Sequence, residues 1–350
     1  MARPRSVLDV RLLLDDVEFL GWQSWTIAND VTQWADAWSL ESPNRRGALA
    51  GKIAPGQVAE VIIDGVTVSR GFVDDVDIDG DANGNSIAVT GRDGFGPSAD
   101  VSADPGTVGP MTLKTLAERL IGDWVETWNV ADNIALAIHQ SIEIEPGDTQ
   151  AEVVQRIAEK DGLLIWHRSD GTGLIARPNY TQEPLHKIRR FVSGPRTSEN
   201  NVISGGSRES WRGRYNSTKV AGSGANDKTN FGKSSHRKST VIDAEVDDRR
   251  KLIVTDGDLR TIAQAKQRAE DLVSRQAMDG LTMEYTVGGH YGTPFKDTAP
   301  PVLYDVDQRV DVIDEVTGIE GVFWMRSRKF SEGSEGARSV LTLHPNGWLG

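Results

Sequence analysis

The chain contains no cysteine, which excludes disulfides, thiolate metal sites and cysteine nucleophiles. That is compatible with synthesis in a reducing cytoplasm. Long apolar runs are missing too. The most apolar N-terminal stretch, 7–14, is broken by Asp9 and Arg11, so neither a secretory nor a membrane-spanning segment is expected. Hydrophobic residues make up 38% and the mean hydropathy is −0.40, low for a chain of this size. Motifs for a serine elbow (G-x-S-x-G), a zinc helix (H-E-x-x-H) and a phosphate loop (G-x-x-x-x-G-K-[ST]) are absent. The six histidines, His139, His167, His186, His236, His290 and His344, are scattered without metal-ligand spacing. Acids are too numerous to single out a pair. A glycosidase needs only two carboxylates close in space, and nothing in the sequence points to them. No catalytic, cofactor-binding or metal-binding residue is therefore named. Basic excess is lacking as well: 51 acids face 39 lysines and arginines, a net charge of −12, which argues against a general nucleic-acid-binding protein.

At 350 residues the chain is long enough for two or three domains. Its 36 glycines lie mostly outside helical patterns and indicate many turns, hence β-rich structure. The most organised stretch is 258–287. Leu259, Ile262, Ala263, Ala269, Leu272, Val273 and Ala277 recur at three- and four-residue spacing, the period of one helix face. Asp258 suits the N-cap, and Gly280 suits a left-handed stop. Leu281, Met283, Tyr285 and Val287 then alternate with polar residues, the period of a half-buried strand. The expectation is a long helix, 258–279, docked through Leu259, Ile262, Leu272 and Val273 on the C-terminal strands.

Before residue 105 the pattern is strand and turn. Stretches 7–14 and 17–25 read as a hairpin around Asp15-Asp16, and 58–64, 66–72 and 87–90 continue, with Gly65 in a tight turn. Trp22, Trp25, Trp34 and Trp38 crowd together. Core packing is the plain reading; an aromatic subunit interface and a sugar-stacking platform are the sharper ones. Asp79, Asp81 and Asn83 with Gly84 fit the front half of a calcium loop, but Thr90 stands where the bidentate glutamate belongs. A solvated hairpin turn at Asn83-Gly84 explains them better. From 105 to 183 the texture becomes α/β: a short helix behind Thr112, then a capping box of Thr149 and Glu152, a helix stopped at Gly162, and a hairpin around Asp170-Gly171. Between 186 and 240 the chain carries 12 lysines and arginines against Glu199, Glu209 and Asp227, including a loop expected over 222–239. A solvated loop or salt-bridging interface is the ordinary reading of such a segment, and phosphate contact the alternative. Strands at 309–314, 322–329 and 337–344 close the chain.

Gly21-Trp22 and the stretch TIANDVTQWADAWSLESPN at 26–44 resemble the opening of phage tail baseplate hub proteins of the Mu type, the late control protein D-like hubs. So do Gly71-Phe72-Val73-Asp74-Asp75 and Val89-Thr90-Gly91-Arg92-Asp93. The block DTQAEVVQRIAEKDGLLIWHRSDGTGLIAR at 148–177 resembles that family's middle domain. Helix 259–278, Val310-Asp311-Val312-Ile313 and Leu341-Thr342-Leu343-His344-Pro345 resemble its last barrel. One departure is Gly288-Gly289-His290-Tyr291, where relatives often carry a tryptophan-containing turn.

The resemblance implies an α+β, predominantly β protein: two tail-tube-like β-barrels, 1–104 and 184–350, with a small α/β domain, 105–183, between them. Part of 184–215 is free to return to the first barrel. It also implies a non-enzymatic homotrimer in the virion tail baseplate, assembled in the host cytoplasm. Such a ring joins the hexameric tail tube to the trimeric central spike, touches other baseplate proteins, and passes DNA without binding it specifically. Acids at 74–81 and 305–315 are expected to line that channel, with the basic 186–240 segment away from it. The rival readings are a tail-associated glycan or cell-wall hydrolase and a carbohydrate-binding β protein.

Overall fold

The computed structural model describes residues 9–43, 49, 51–81, 84–222, 237–257, 259 and 261–347. The N-terminal strands are β1 (Val10–Leu14), β2 (Val17–Phe19), β3 (Ser24–Asp30), β4 (Ala37–Pro43), β5 (Val58–Ile63), β6 (Val66–Asp81) and β7 (Gly84–Asp93). Asp15 and Asp16 both have positive φ (46° and 66°), the geometry that matches the twist of a two-residue hairpin. Asp64 and Gly65 repeat it between β5 and β6, with φ of 49° and 82°. The expected strand over 17–25 is divided at Gly21, whose φ of 86° turns the chain out of β2 before β3 begins. Asp79 and Gly80 lie exposed in β6. Asp81 pairs with Gly84, so β6 and β7 form a hairpin; Ala82 and Asn83 lie outside the described residues. Among the described residues no group of three or more acids and histidines is placed to hold a metal.

The middle of the chain supplies α1 (Gly96–Asp100), β8 (Gly106–Val108), α2 (Leu113–Ile121), β9 (Thr127–Val130), β10 (Ile142–Ile144), α3 (Gln150–Lys160), β11 (Leu164–His167) and β12 (Thr172–Ala176). Thr112 caps α2 by accepting from Thr115 N. The capping box of Thr149 and Glu152 starts α3, and Gly162 stops it at φ 65°, as the spacing predicts. Leu113, Leu116, Ala117 and Ile121 of α2 meet Val153, Val154 and Ile157 of α3 in a core separate from that of the large sheet.

The remaining elements are β13 (His186–Arg190), β14 (Val202–Glu209), β15 (Ser217–Gly222), β16 (Lys238–Ile242), β17 (Lys251–Asp256), α4 (Ile262–Gly280), β18 (Leu281–Gly288), β19 (Arg309–Asp314), β20 (Ile319–Glu332) and β21 (Arg338–His344). β13 pairs with β19 and β14 with β18. The N- and C-terminal strands form one thirteen-stranded sheet, and among the described residues it closes into no barrel. The joint is β20: its first half pairs with β19, while Ser327–Glu332 pairs with β3 from Asp30 to Trp25. One apolar core runs across the joint, from Leu12, Ile27 and Val61 to Tyr285, Phe330 and Leu341. Strands hold 46% of residues and helices 16%, so the chain is α+β with β predominating.

Helix α4 departs from expectation in four respects. It starts at Ile262 behind a capping box of Thr261 and Gln264; Asp258 and Arg260 lie outside the described residues. Ile262 is consequently in the first turn and 60% exposed. The helix packs mainly on the three-stranded sheet β16-β15-β17, through Ala265, Ala269 and half-buried Leu272, with Leu259 just before it, against Val220, Val241 and Val254, and less on the large sheet. Alanines let helix and sheet approach closely. Gly280 has no positive φ; it is the last helical residue, extended Leu281 caps the helix, and a Cβ on Gly280 would stand 2.7 Å from Arg214 Cδ. The other side of α4 leans on the middle unit. Arg268 donates to the Glu159 carbonyl at 2.6 Å, at the carbonyl-rich end of α3 where a cation is favoured.

Candidate functional site

The four tryptophans do not converge. Trp25 and Trp38 are buried in the large core, with half-buried Trp22 packed against it. Trp34 faces the middle unit, stacking on Phe95 with centroids 4.7 Å apart and donating to Ser98 Oγ at 2.9 Å. Trp22 Nε1 donates to the Phe19 carbonyl. This is packing, with no pair of exposed rings for a sugar. Among the described residues the exposed tryptophan is Trp211, 62% accessible, under the Arg250 guanidinium at 4.8 Å. It borders a groove of about 950 Å³ together with Arg214, Ile242, Glu245 and Ala277. No periodicity marks Trp211 in the sequence, because it lies in a turn after β14.

The Gly91-Arg92-Asp93 motif marks the junction between the large sheet and the middle unit. Gly91 passes so close to Trp38 that a Cβ would be 2.2 Å from its ring and from the Phe72 carbonyl oxygen. Arg92 grips Asp74 through Nε and Nη2 at 2.7 and 2.9 Å and Asp100 at 2.6 Å. Asp93 accepts from Phe95 N at 3.0 Å and Asp36 N at 3.1 Å. Asp36 in turn accepts from Asp30 N at 2.8 Å and Asn29 Nδ2 at 2.6 Å. Both carboxyls are buried. Burial pushes Asp36 up to about 7, against the hydrogen bonds from Asp30 and Asn29. Burial, then the charge of Asp36, also holds Asp93 well above the usual carboxylate range. Two raised carboxyls side by side are the signature of acid–base chemistry when a cleft reaches them. Here both are closed off by backbone amides and serve as internal caps. The sequence flagged the motif but not its partner Asp36, which sits 57 residues away.

The histidines remain dispersed. His139 meets Asp161 at 3.0 Å, His186 meets Gln308 at 2.7 Å, His290 meets Ser339 Oγ at 2.9 Å, and His344 meets the Met278 carbonyl. His167 packs edge-on to Phe95. His236 lies outside the described residues. Burial lowers His167 and His290 to about 4. Much of the basic 186–240 segment is engaged in ion pairs: Arg189 with Asp311, Arg190 with Asp314 at 2.5 Å, and Arg214 with Asp243 at 2.7 Å and Glu245 at 2.9 Å. The expected loop 222–239 falls mostly on 223–236, outside the described residues.

Comparisons with known proteins agree with this architecture. Residues 9–93 match the family model described as Mu phage baseplate assembly protein GpP-like, N-terminal, and residues 276–348 match that of a tail protein C-terminal domain. The tail protein from Neisseria meningitidis MC58 superposes with a TM-score of 0.81 at 23% identity, over 97% of each chain. The 43 kDa tail protein of prophage MuSo2 from Shewanella oneidensis gives 0.76 at 26% identity, over 96% of this chain and 97% of that one. An Escherichia coli component of the type VI secretion system, described as similar to the T4 bacteriophage tail proteins gp27 and gp5, gives 0.63 at 7% identity, over 97% of this chain and 77% of that one. No curated protein matches the sequence.

Proposed function

We propose that this chain, a phage tail protein carrying a Mu-type baseplate assembly domain at one end and a tail-protein domain at the other, is the structural hub of the baseplate. Three copies form a closed ring, hexameric tail tube on one side and trimeric spike on the other, with other baseplate proteins around it. The ring encloses part of the DNA channel and catalyses nothing. Its units are 1–104, 105–183 and 184–350, the first and last each contributing a tube-like barrel in the assembled ring.

The observation that carries this reading is the β3–β20 joint. It sets two strand-rich units side by side in one chain, so that three chains present six such units to a sixfold tube. The acidic excess of 51 to 39 suits a conduit, since like charge suppresses phosphate contacts and their counterion release. Ion pairing of Arg189, Arg190 and Arg214 supports keeping the basic segment off the channel wall. Light scattering on the purified chain tests the reading. The expected mass is three times 38.2 kDa and persists on dilution, as obligate interfaces burying roughly 2,000 Å² or more do. A monomer at micromolar concentration, even co-expressed with tube and spike proteins, overturns it.

A further inference from the structure

A cyclic trimer needs two different, mutually complementary surfaces on every copy, because its contacts are heterologous. The outer face of the sheet β16-β15-β17 is one candidate. Its inner face is covered by α4 through Val220, Val241 and Val254. Across the outer face the register sets Lys238 beside Ala221, Lys219 beside Thr240 and Ile253, and Lys251 beside Ser217. The three lysines therefore run in a diagonal, one per strand, at about 8 Å spacing given the strand separation and rise. None forms an ion pair among the described residues. Ile242 and Ile253 stand on the same face, 59% and 67% exposed. A basic, partly apolar face is unexpected on a chain of net charge −12.

The matching surface is the arm of β6 beyond Val73. There β5 no longer pairs, its last partner being Phe72, and β6 becomes a sheet edge. Asp75, Asp77 and Asp79 alternate along it, so they share one face at about 7 Å spacing. All three are exposed and lack ion pairs among the described residues. Ile78, 48% exposed, stands on the opposite face of this arm, across from buried Ile87.

Resting on the trimeric reading above, we infer that the lysine face of one copy docks on the aspartate arm of the next, so that this acid row faces a neighbouring subunit rather than the channel. Exposed Ile242 and Ile253 on the lysine face favour a protein over a nucleic acid as the occupant. Charge reversal in the full chain tests it. Lys219→Glu/Lys238→Glu/Lys251→Glu, and separately Asp75→Lys/Asp77→Lys/Asp79→Lys, should each raise the concentration for half-assembly by about 100-fold or more. Combining all six should restore assembly, which misfolding of either set would not allow; circular dichroism checks folding independently. If the wild-type chain is trimeric and both triple variants assemble equally well, this contact is wrong and the trimer stands. If the wild-type chain is monomeric even with tube and spike present, both ideas fall. If the lysine variant assembles normally but loses affinity for a labelled DNA duplex, the face belongs to nucleic acid.

Discussion

Gly91 shows how little slack the junction has. A methyl group there would stand 2.2 Å from the Trp38 ring and the Phe72 carbonyl, and one of those neighbours is backbone in the same ladder. Gly91→Ala is expected to destabilise by about 1–3 kcal/mol or more, the range for overpacking a filled core. Gly206→Ala in β14, where nothing lies within 4 Å, is the matched control and should be nearly neutral. Thermal unfolding of the two variants side by side checks this.

Helix α4 is anchored by small residues rather than large ones. Ala265 and Ala269 are fully buried, whereas Leu272 only borders that cluster. Leu272→Ala should therefore cost about 1–2 kcal/mol, below the usual range for a fully buried leucine. Ile262→Ala should be almost silent, since Ile262 is 60% exposed. Urea midpoints of the two variants provide the measurement. A neutral Leu272→Ala would put that face in solvent.

For the whole molecule, buried groups pull its pH dependence in opposite directions. His167 and His290 are held down to about 4, so the unfolded chain binds their protons first. Their contribution is complete above about 6.5 and is lost as pH falls towards 4, on the order of 3 kcal/mol each. Asp36, raised to about 7, works the other way: the folded state keeps a proton that the unfolded chain releases, so stability is lost as pH rises from about 4 to 7. Melting temperature should fall on acidification from pH 6.5 to 4.5, and more steeply in Asp36→Asn, which removes one opposing carboxyl and, with its charge, part of what raises the other, Asp93. An unchanged slope in that variant would contradict the assigned protonation of Asp36.

What the sequence determined by itself was local. The Asp15-Asp16 and Asp64-Gly65 hairpins, the capping box at Thr149 and Glu152 and the stop at Gly162 each rest on torsions and hydrogen bonds within about four residues. The amphipathic faces of α2 and α3 were legible for the same reason, and the Gly91-Arg92-Asp93 motif was legible through its family resemblance. Only the tertiary structure decided which strand pairs with which. That β20 bridges to β3, that Asp36 closes over Asp93, and that Gly280 makes room for Arg214 all depend on residues far apart in the chain. So does the placement of α4 on a separate small sheet. A strand's period of two tells which face is buried, but not against what. Partner choice follows from the packing of all the faces together.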